Sequence, residues 1–239
     1  MVCALLVFLL NELTGFDQPT LAVQIGVVSL WLIAVVSVAG WQIWQGSESE
    51  LIRKIIHIGT GNVILLAWWL QIPAWIGICA SILFSAITLL SYQFPLIPGI
   101  DSVGRKSLGT FFYAVSIGVL IGCFWQTYPH LAVIGVLIMT WGDGCAALVG
   151  QRWGKHRYWL WGVEKSWEGS LTMLMISAVV CSLVLLGVYG YLWQVLLIAV
   201  VVSLAATGLE AFSKLGIDNL TVPIGSAVIT FWLSRVLLG

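Results

Sequence analysis

The chain has 239 residues, 60% apolar and 8% charged, against about 45–50% apolar and about 25% charged in ordinary soluble domains. A water-soluble globule is excluded, because ten Lys and Arg with ten Asp and Glu cannot cover its surface. A mean hydropathy of +1.04 excludes disorder, and zero net charge with no basic run excludes nucleic acid as a natural partner. The composition is that of an all-α polytopic integral membrane protein.

A bilayer core of about 30 Å needs about 20 apolar residues of helix. Taken in order, eight stretches meet this: 20–44, 52–70, 73–92, 107–125, 130–149, 169–191, 193–212 and 221–238. Residues 2–10 are too short to cross and read as an interfacial or re-entrant piece, or as an extra span too short to recognise. The N-terminal segment MVCALLVFLLNE lacks the basic residues that precede a signal-peptide core and a small-residue cleavage site after it, so it is read as mature sequence. No repeat or composition break divides the chain, which is expected to form one membrane domain. The five cysteines lie singly in apolar stretches, with neither a disulfide framework nor metal-ligand spacing.

Eight spans put the loops 45–52, 93–106, 150–168 and 213–220 on one side, with all cations but Arg235. By the positive-inside rule that side is cytoplasmic and both termini lie opposite. Every acid except Glu12 and Asp17 also falls there. Acids contribute little to topology, so the density of mixed charge invites a second explanation.

Four polar constellations stand on this side. At the start of the second span, Lys54, His57 and Gly61 share a helical stripe, with Arg53 one turn before His57. They form either an anion site or a snorkelling patch around a packed histidine. GRKSLGT, residues 104–110, sets Arg105 and Lys106 beside small residues at a helix start, an arrangement suited to anions. It matches neither GxxxxGK[ST] nor GxGxxG. In TWGDGCAALVGQRWGK, residues 140–155, Asp143 lies about 10 Å of helix below the cytoplasmic end, where a carboxylate needs a cation or metal. Gly142, Ala146 and Gly150 repeat every four residues, so another helix can approach closely; Lys155 follows. In EKSWEGS, residues 164–170, Glu164 and Glu168 are one turn apart and Ser166 can cap the sixth span. Two carboxylates near Lys165 and Asp143 could hold Mg²⁺ when phosphates supply the other ligands. A salt-bridged helix start is the bland alternative. Asp218, Asn219, Thr221 and Pro223 precede the last span.

RKIIHIGTGN (53–62), GRKSLGT, GDGCAALVGQRWGK (142–155), EKSWEGS and DNLTVP (218–223) together resemble the membrane-bound polyprenol kinase family, which includes phytol, farnesol and dolichol kinases and uses CTP. The short chain is closer to the phytol kinases. The resemblance implies a CTP-dependent kinase of a long-chain isoprenoid alcohol, phytol first, as in phytol salvage for tocopherol or prenyl-lipid synthesis. It carries over Arg53, Lys54, Asp143, Gly150, Lys165 and Glu168 as functional positions. On that basis Asp143, Lys165 and Glu168 are expected to be catalytic, and Arg53, Lys54, Arg105, Lys106, Gly150 and Lys155 to bind nucleotide phosphate. Asp143, Glu164 and Glu168 are expected to hold Mg²⁺, with His57, Glu164, Ser166, Asp218 and Asn219 as further candidates. The expected partners are the alcohol, a nucleoside triphosphate and membrane lipids.

Two rivals remain open. GDG and KSWEG also resemble CTP:phosphatidate cytidylyltransferases, but SKLGIDNLTVPIGSA, residues 213–227, lacks their paired-acid ending. A transporter would bind near the midplane between repeats, whereas these charges crowd one edge.

Overall fold

The computed structural model describes residues 19–91 and 108–239, and the chain divides into two compact units, Met1–Pro73 and Ala74–Gly239. Residues 2–10, Arg105 and Lys106 lie outside the described residues. The architecture is all-α and polytopic, with seven helices long and apolar enough to cross a membrane among the described residues and a shorter apolar one at Gly109–Phe124.

In the first unit α1 (Leu21–Trp44) packs on α2 (Ser49–Gly61) and α3 (Val63–Trp69). Gly46, at φ 73°, ends α1: its N–H donates to Ile43 O and that of Ser47 to Gln42 O, the pairing of a left-handed helix cap. The turn sends α2 back along α1. There Trp31 Nε1 donates to the Gly59 carbonyl at 2.7 Å, and Gln24 Nε2 to Leu70 O at 2.9 Å. A Cβ on Gly59 would stand 2.6 Å from the Val35 methyls, so glycine sets that approach. Leu30, Ile33 and Val36 on α1 stay outward, as side chains facing acyl chains would.

In the second unit α4 (Ala74–Ser91) pairs with α5 (Gly109–Phe124), tied by Ser81 Oγ donating to Ala114 O at 2.6 Å. The chain then enters a 25-residue span built of α6 (Pro129–Leu137), a π-helical turn (Ile138–Asp143) and α7 (Gly144–Trp153). A helix apolar on all sides belongs in the centre of a bundle, and residues 130–140 are buried without exception. Around it stand α5, α8 (Trp167–Tyr189) and α10 (Asp218–Leu237), with α9 (Trp193–Ala211) between α8 and α10.

Three features differ from the sequence expectation. The loop 150–168 contains a β-hairpin, β1 (Arg157–Leu160) antiparallel to β2 (Val163–Ser166). Its two turn residues, Trp161 and Gly162, have φ of 49° and 76°, the positive pair that matches the twist of a two-residue hairpin. Second, α10 starts at Asp218, so Asp218, Asn219 and Thr221 sit in its first turns and not before it. Third, the charged stretch from Ser49 is already helical, because Glu48 and Glu50 favour a helix start.

Candidate functional site

The hairpin decides which charges of the EKSWEGS block meet. Register pairs Tyr158 with Lys165 and Trp159 with Glu164, so successive residues point to opposite faces. Glu164 takes the outer face with Arg157, whose Nη1 donates to Glu164 Oε1 at 3.2 Å; both are well exposed. Lys165 takes the inner face. Its ammonium donates to the Glu210 carbonyl oxygen at 3.2 Å and pairs with the Glu210 carboxylate at the end of α9. Burial disfavours the Lys165 ammonium, but the charge and hydrogen bond of Glu210, with the charges of Asp218 and Asp143, outweigh it and raise the pKa above the ordinary lysine value. One cation thus contacts the carboxylate at the end of α9 and feels the charges of two more, Asp218 at the start of α10 and Asp143 at the end of the π-helical turn.

The backbone under this cluster is packed tightly. Ser166 caps α8, its Oγ accepting from Gly169 N at 3.1 Å. A Cβ on Gly150 would lie 2.9 Å from Ser166 Oγ, and one on Gly142 would lie 2.7 Å from Met173 Sδ. The Gly142, Ala146 and Gly150 stripe is therefore where α8 approaches the span that carries Asp143. The π-helical turn inserts one extra residue into that span, a deviation often found at functional sites. A Cβ on Gly135 would meet Pro223 O at 2.5 Å, so a close glycine contact also fixes the start of α10 beside the central helix.

Glu168 closes the base of the hairpin. Its carboxylate accepts from His156 N at 3.2 Å and lies 2.7 Å from His156 Nδ1. Tyr158 OH and Ser170 Oγ are 2.6 Å apart beside it. At the tip, Trp161 meets Phe212 edge to face at 5.4 Å between ring centres. Thus the hairpin leans on the α9–α10 connection.

In the first unit, Arg53 is exposed and bidentate to Glu50 at 2.6 and 2.9 Å. Lys54 is only 3% exposed, and His57 is half-buried.

Over 194 residues, 81% of this chain and 83% of the relative, the sequence is 53% identical to the phytol kinase of Synechocystis sp.. The chain belongs to the phytol kinase family. A probable chloroplastic phytol kinase of Triticum aestivum is 26% identical over 78% of this chain and 68% of the relative. The chloroplastic farnesol kinase of Arabidopsis thaliana is 28% identical over 78% of this chain and 66% of the relative. No family model matches the chain. No solved structure matches it.

In this phytol kinase family member, then, the structure brings together Lys165, Asp143 and Asp218, and adds Glu210, for which the sequence offered no role. Glu164 and Glu168 are engaged by Arg157 and His156. Among the described residues no three His, Cys, Asp or Glu side chains cluster to hold a metal, so Asp143, Glu164 and Glu168 do not form a three-carboxylate cage. Gly150 and Ser166 face each other, Asn219 is buried, and Lys155 is exposed. Glu210 was hidden by its neighbour: Lys214, four residues on, is the local partner that helical spacing suggests, whereas its actual partner lies 45 residues away.

Proposed function

We propose that this chain transfers the terminal phosphoryl group of CTP to the hydroxyl of a long-chain isoprenoid alcohol, phytol first, supplying phytyl monophosphate for tocopherol or prenyl-lipid synthesis. The observation that carries the reading is Lys165 paired with Glu210, within the influence of the Asp218 and Asp143 charges, where membrane-spanning helices end. An apolar alcohol lies in the bilayer with its hydroxyl near the headgroups, while the nucleotide stays in water, so a kinase joining them needs its charges at that boundary. The excess of cations in the loops supports a cytoplasmic position for this boundary. Identity to a phytol kinase and likeness to a farnesol kinase support the class of alcohol.

The donor set fits a Mg²⁺ ion that shares its ligands with a triphosphate, because such an ion needs only one or two carboxylates from the protein. Asp143 and Asp218 would hold it, and it would neutralise phosphate charge there. The chain's own groups supply positioning. Lys165, fixed by Glu210, presents a localised positive charge, and Asp143 accepts the proton as the alcohol oxygen attacks the γ-phosphorus. The bond from that phosphorus to the β–γ bridging oxygen breaks and CDP leaves.

The test incubates purified protein with phytol, farnesol or geranylgeraniol and each labelled nucleoside triphosphate. Lipid monophosphate with CDP is the expected product pair. A CDP-lipid with pyrophosphate would make the chain a cytidylyltransferase, and phosphorylation from every donor alike would remove CTP from the reading.

A further inference from the structure

At the opposite end of the second unit from Lys165, α6 begins, α8 ends and α10 ends around a cavity of about 210 Å³. Asp218 and Ser234 mark the two ends along α10, sixteen residues or about 24 Å of helix apart. The cavity therefore sits near the headgroup level of the other leaflet. It is lined by Tyr128, His130, Tyr189, Phe231, Ser234 and Arg235, with Leu131 and Gly239.

These residues form a built wall. His130 is 7% exposed, its ring edge-on to Tyr128 and Tyr189, and its Nε2 lies 3.4 Å from Tyr189 OH. Tyr128 in turn packs on Phe231 at 5.6 Å. Ser234 is also 7% exposed, and its enclosed hydroxyl sits beside that of Tyr189 but outside hydrogen-bond geometry. The Arg235 side chain makes no hydrogen bond or ion pair with any described residue. The positive end of α6, starting at Pro129, points to the same place. The lining thus offers a guanidinium, a serine and two phenol hydroxyls, an imidazole and a helix N-terminus, and no carboxylate side chain.

We propose that this cavity binds an anion, the phosphate of an anionic lipid headgroup or a free phosphate, at the membrane face away from the catalytic charges. Arg235 supplies the charge, and Ser234 with Tyr189 supplies the directed donors. The aromatic wall shields the site on its inner side, where a lower local dielectric strengthens each contact.

The test uses the full chain in neutral detergent, titrated with phosphatidylglycerol or phosphatidylcholine, with bound lipid counted by native mass spectrometry. Phosphatidylglycerol should be retained and phosphatidylcholine, whose choline cancels the charge, should not. Arg235→Gln should raise the Kd for phosphatidylglycerol about tenfold or more, the loss of one charge-assisted contact. Arg235→Lys should recover part of it, and Ser234→Ala should cost a few-fold. Arg152→Gln removes a cation stacked on Trp153 at the other end, and should change nothing. Displacement by inorganic phosphate would show that a free anion suffices, and resistance to it would assign the site to the lipid headgroup; either result supports the anion chemistry. Equal retention of both lipids, or wild-type retention in an Arg235→Gln variant that melts normally, would overturn the proposal.

Discussion

Lys54 and Lys165 are two lysines folded away from water by different routes. Lys54 stands within a helix, and the spacing that buries it is written in the few residues around it. Lys165 stands on a strand, turned inward by the two-residue turn at Trp161 and Gly162 and held by Glu210 from a helix 45 residues on. The first kind of burial follows from helical period. The second needs three helix ends and a hairpin register to agree, and it is this one that collects the carboxylates.

If the collected cluster is the reacting centre, the largest loss falls on its proton acceptor. Asp143→Asn keeps the shape and is cheaper to bury, so it should insert and fold while losing about 10²–10⁴-fold in turnover. The measurement is phytol phosphorylation in membranes with matched protein levels. Near-normal turnover in a folded variant would return Asp143 to a structural role.

The Lys165–Glu210 pair should act on stability as well as rate. Removing one partner of a buried pair strands the other charge, so Lys165→Met should cost about 3 kcal/mol or somewhat more in unfolding free energy. Lys165→Met with Glu210→Leu should regain much of that stability but no activity, and a double variant as unstable as the single would break the pairing argument. The pH dependence has a fixed sign. The folded pKa of Lys165 is raised, so its contribution is complete below the ordinary lysine value and is lost only as pH rises through the higher folded one. Thermal melts should therefore show no loss from this pair between neutral pH and the ordinary lysine range, and an alkaline drop above it that is absent in the double variant.

Lys54→Gln sharpens the other half of the comparison. As a phosphate contact it would lose about 1.5–3 kcal/mol of charge-assisted binding, or roughly 10- to 150-fold in kcat/KM for CTP. As a packed cation on an apolar helix it would alter stability and leave the nucleotide KM alone. Steady-state kinetics with CTP varied separates the two.

The fold class was legible because bilayer chemistry leaves few choices: long apolar stretches must be helices, and their lengths mark the spans. The Gly142, Ala146 and Gly150 stripe was legible as well, since four-residue spacing is a local property, and Ser166 reads as a cap from its place before Trp167. The hairpin was not, because eight strand residues around Trp161-Gly162 give too short an alternation to stand out beside long apolar helices. With the hairpin unseen, EKSWEGS reads as one helix start that puts Glu164 and Glu168 one turn apart. The actual alternation sends Glu164 outward and Lys165 inward. Glu210 could not be read at all, because its partner is set by tertiary packing.

The smallest predicted effect tests that alternation most directly. Glu164 and Lys165 are neighbours in sequence, and a helical reading gives Glu164 the more central place through its pairing with Glu168. On the strand its carboxylate meets only Arg157 among the described residues, with side-chain exposures of 40% and 49%. Such an exposed pair is worth about 0–1 kcal/mol and is screened by salt. Glu164→Gln should therefore leave the melting temperature nearly unchanged, and phytol phosphorylation and its Mg²⁺ dependence within about twofold of wild type. A carboxylate that holds Mg²⁺ behaves otherwise: its amide variant would need far more Mg²⁺ for half-maximal rate. A marked rise in that Mg²⁺ requirement for Glu164→Gln would show that the hairpin turns its outer face to the donor phosphates during turnover, and would restore Glu164 beside Asp143.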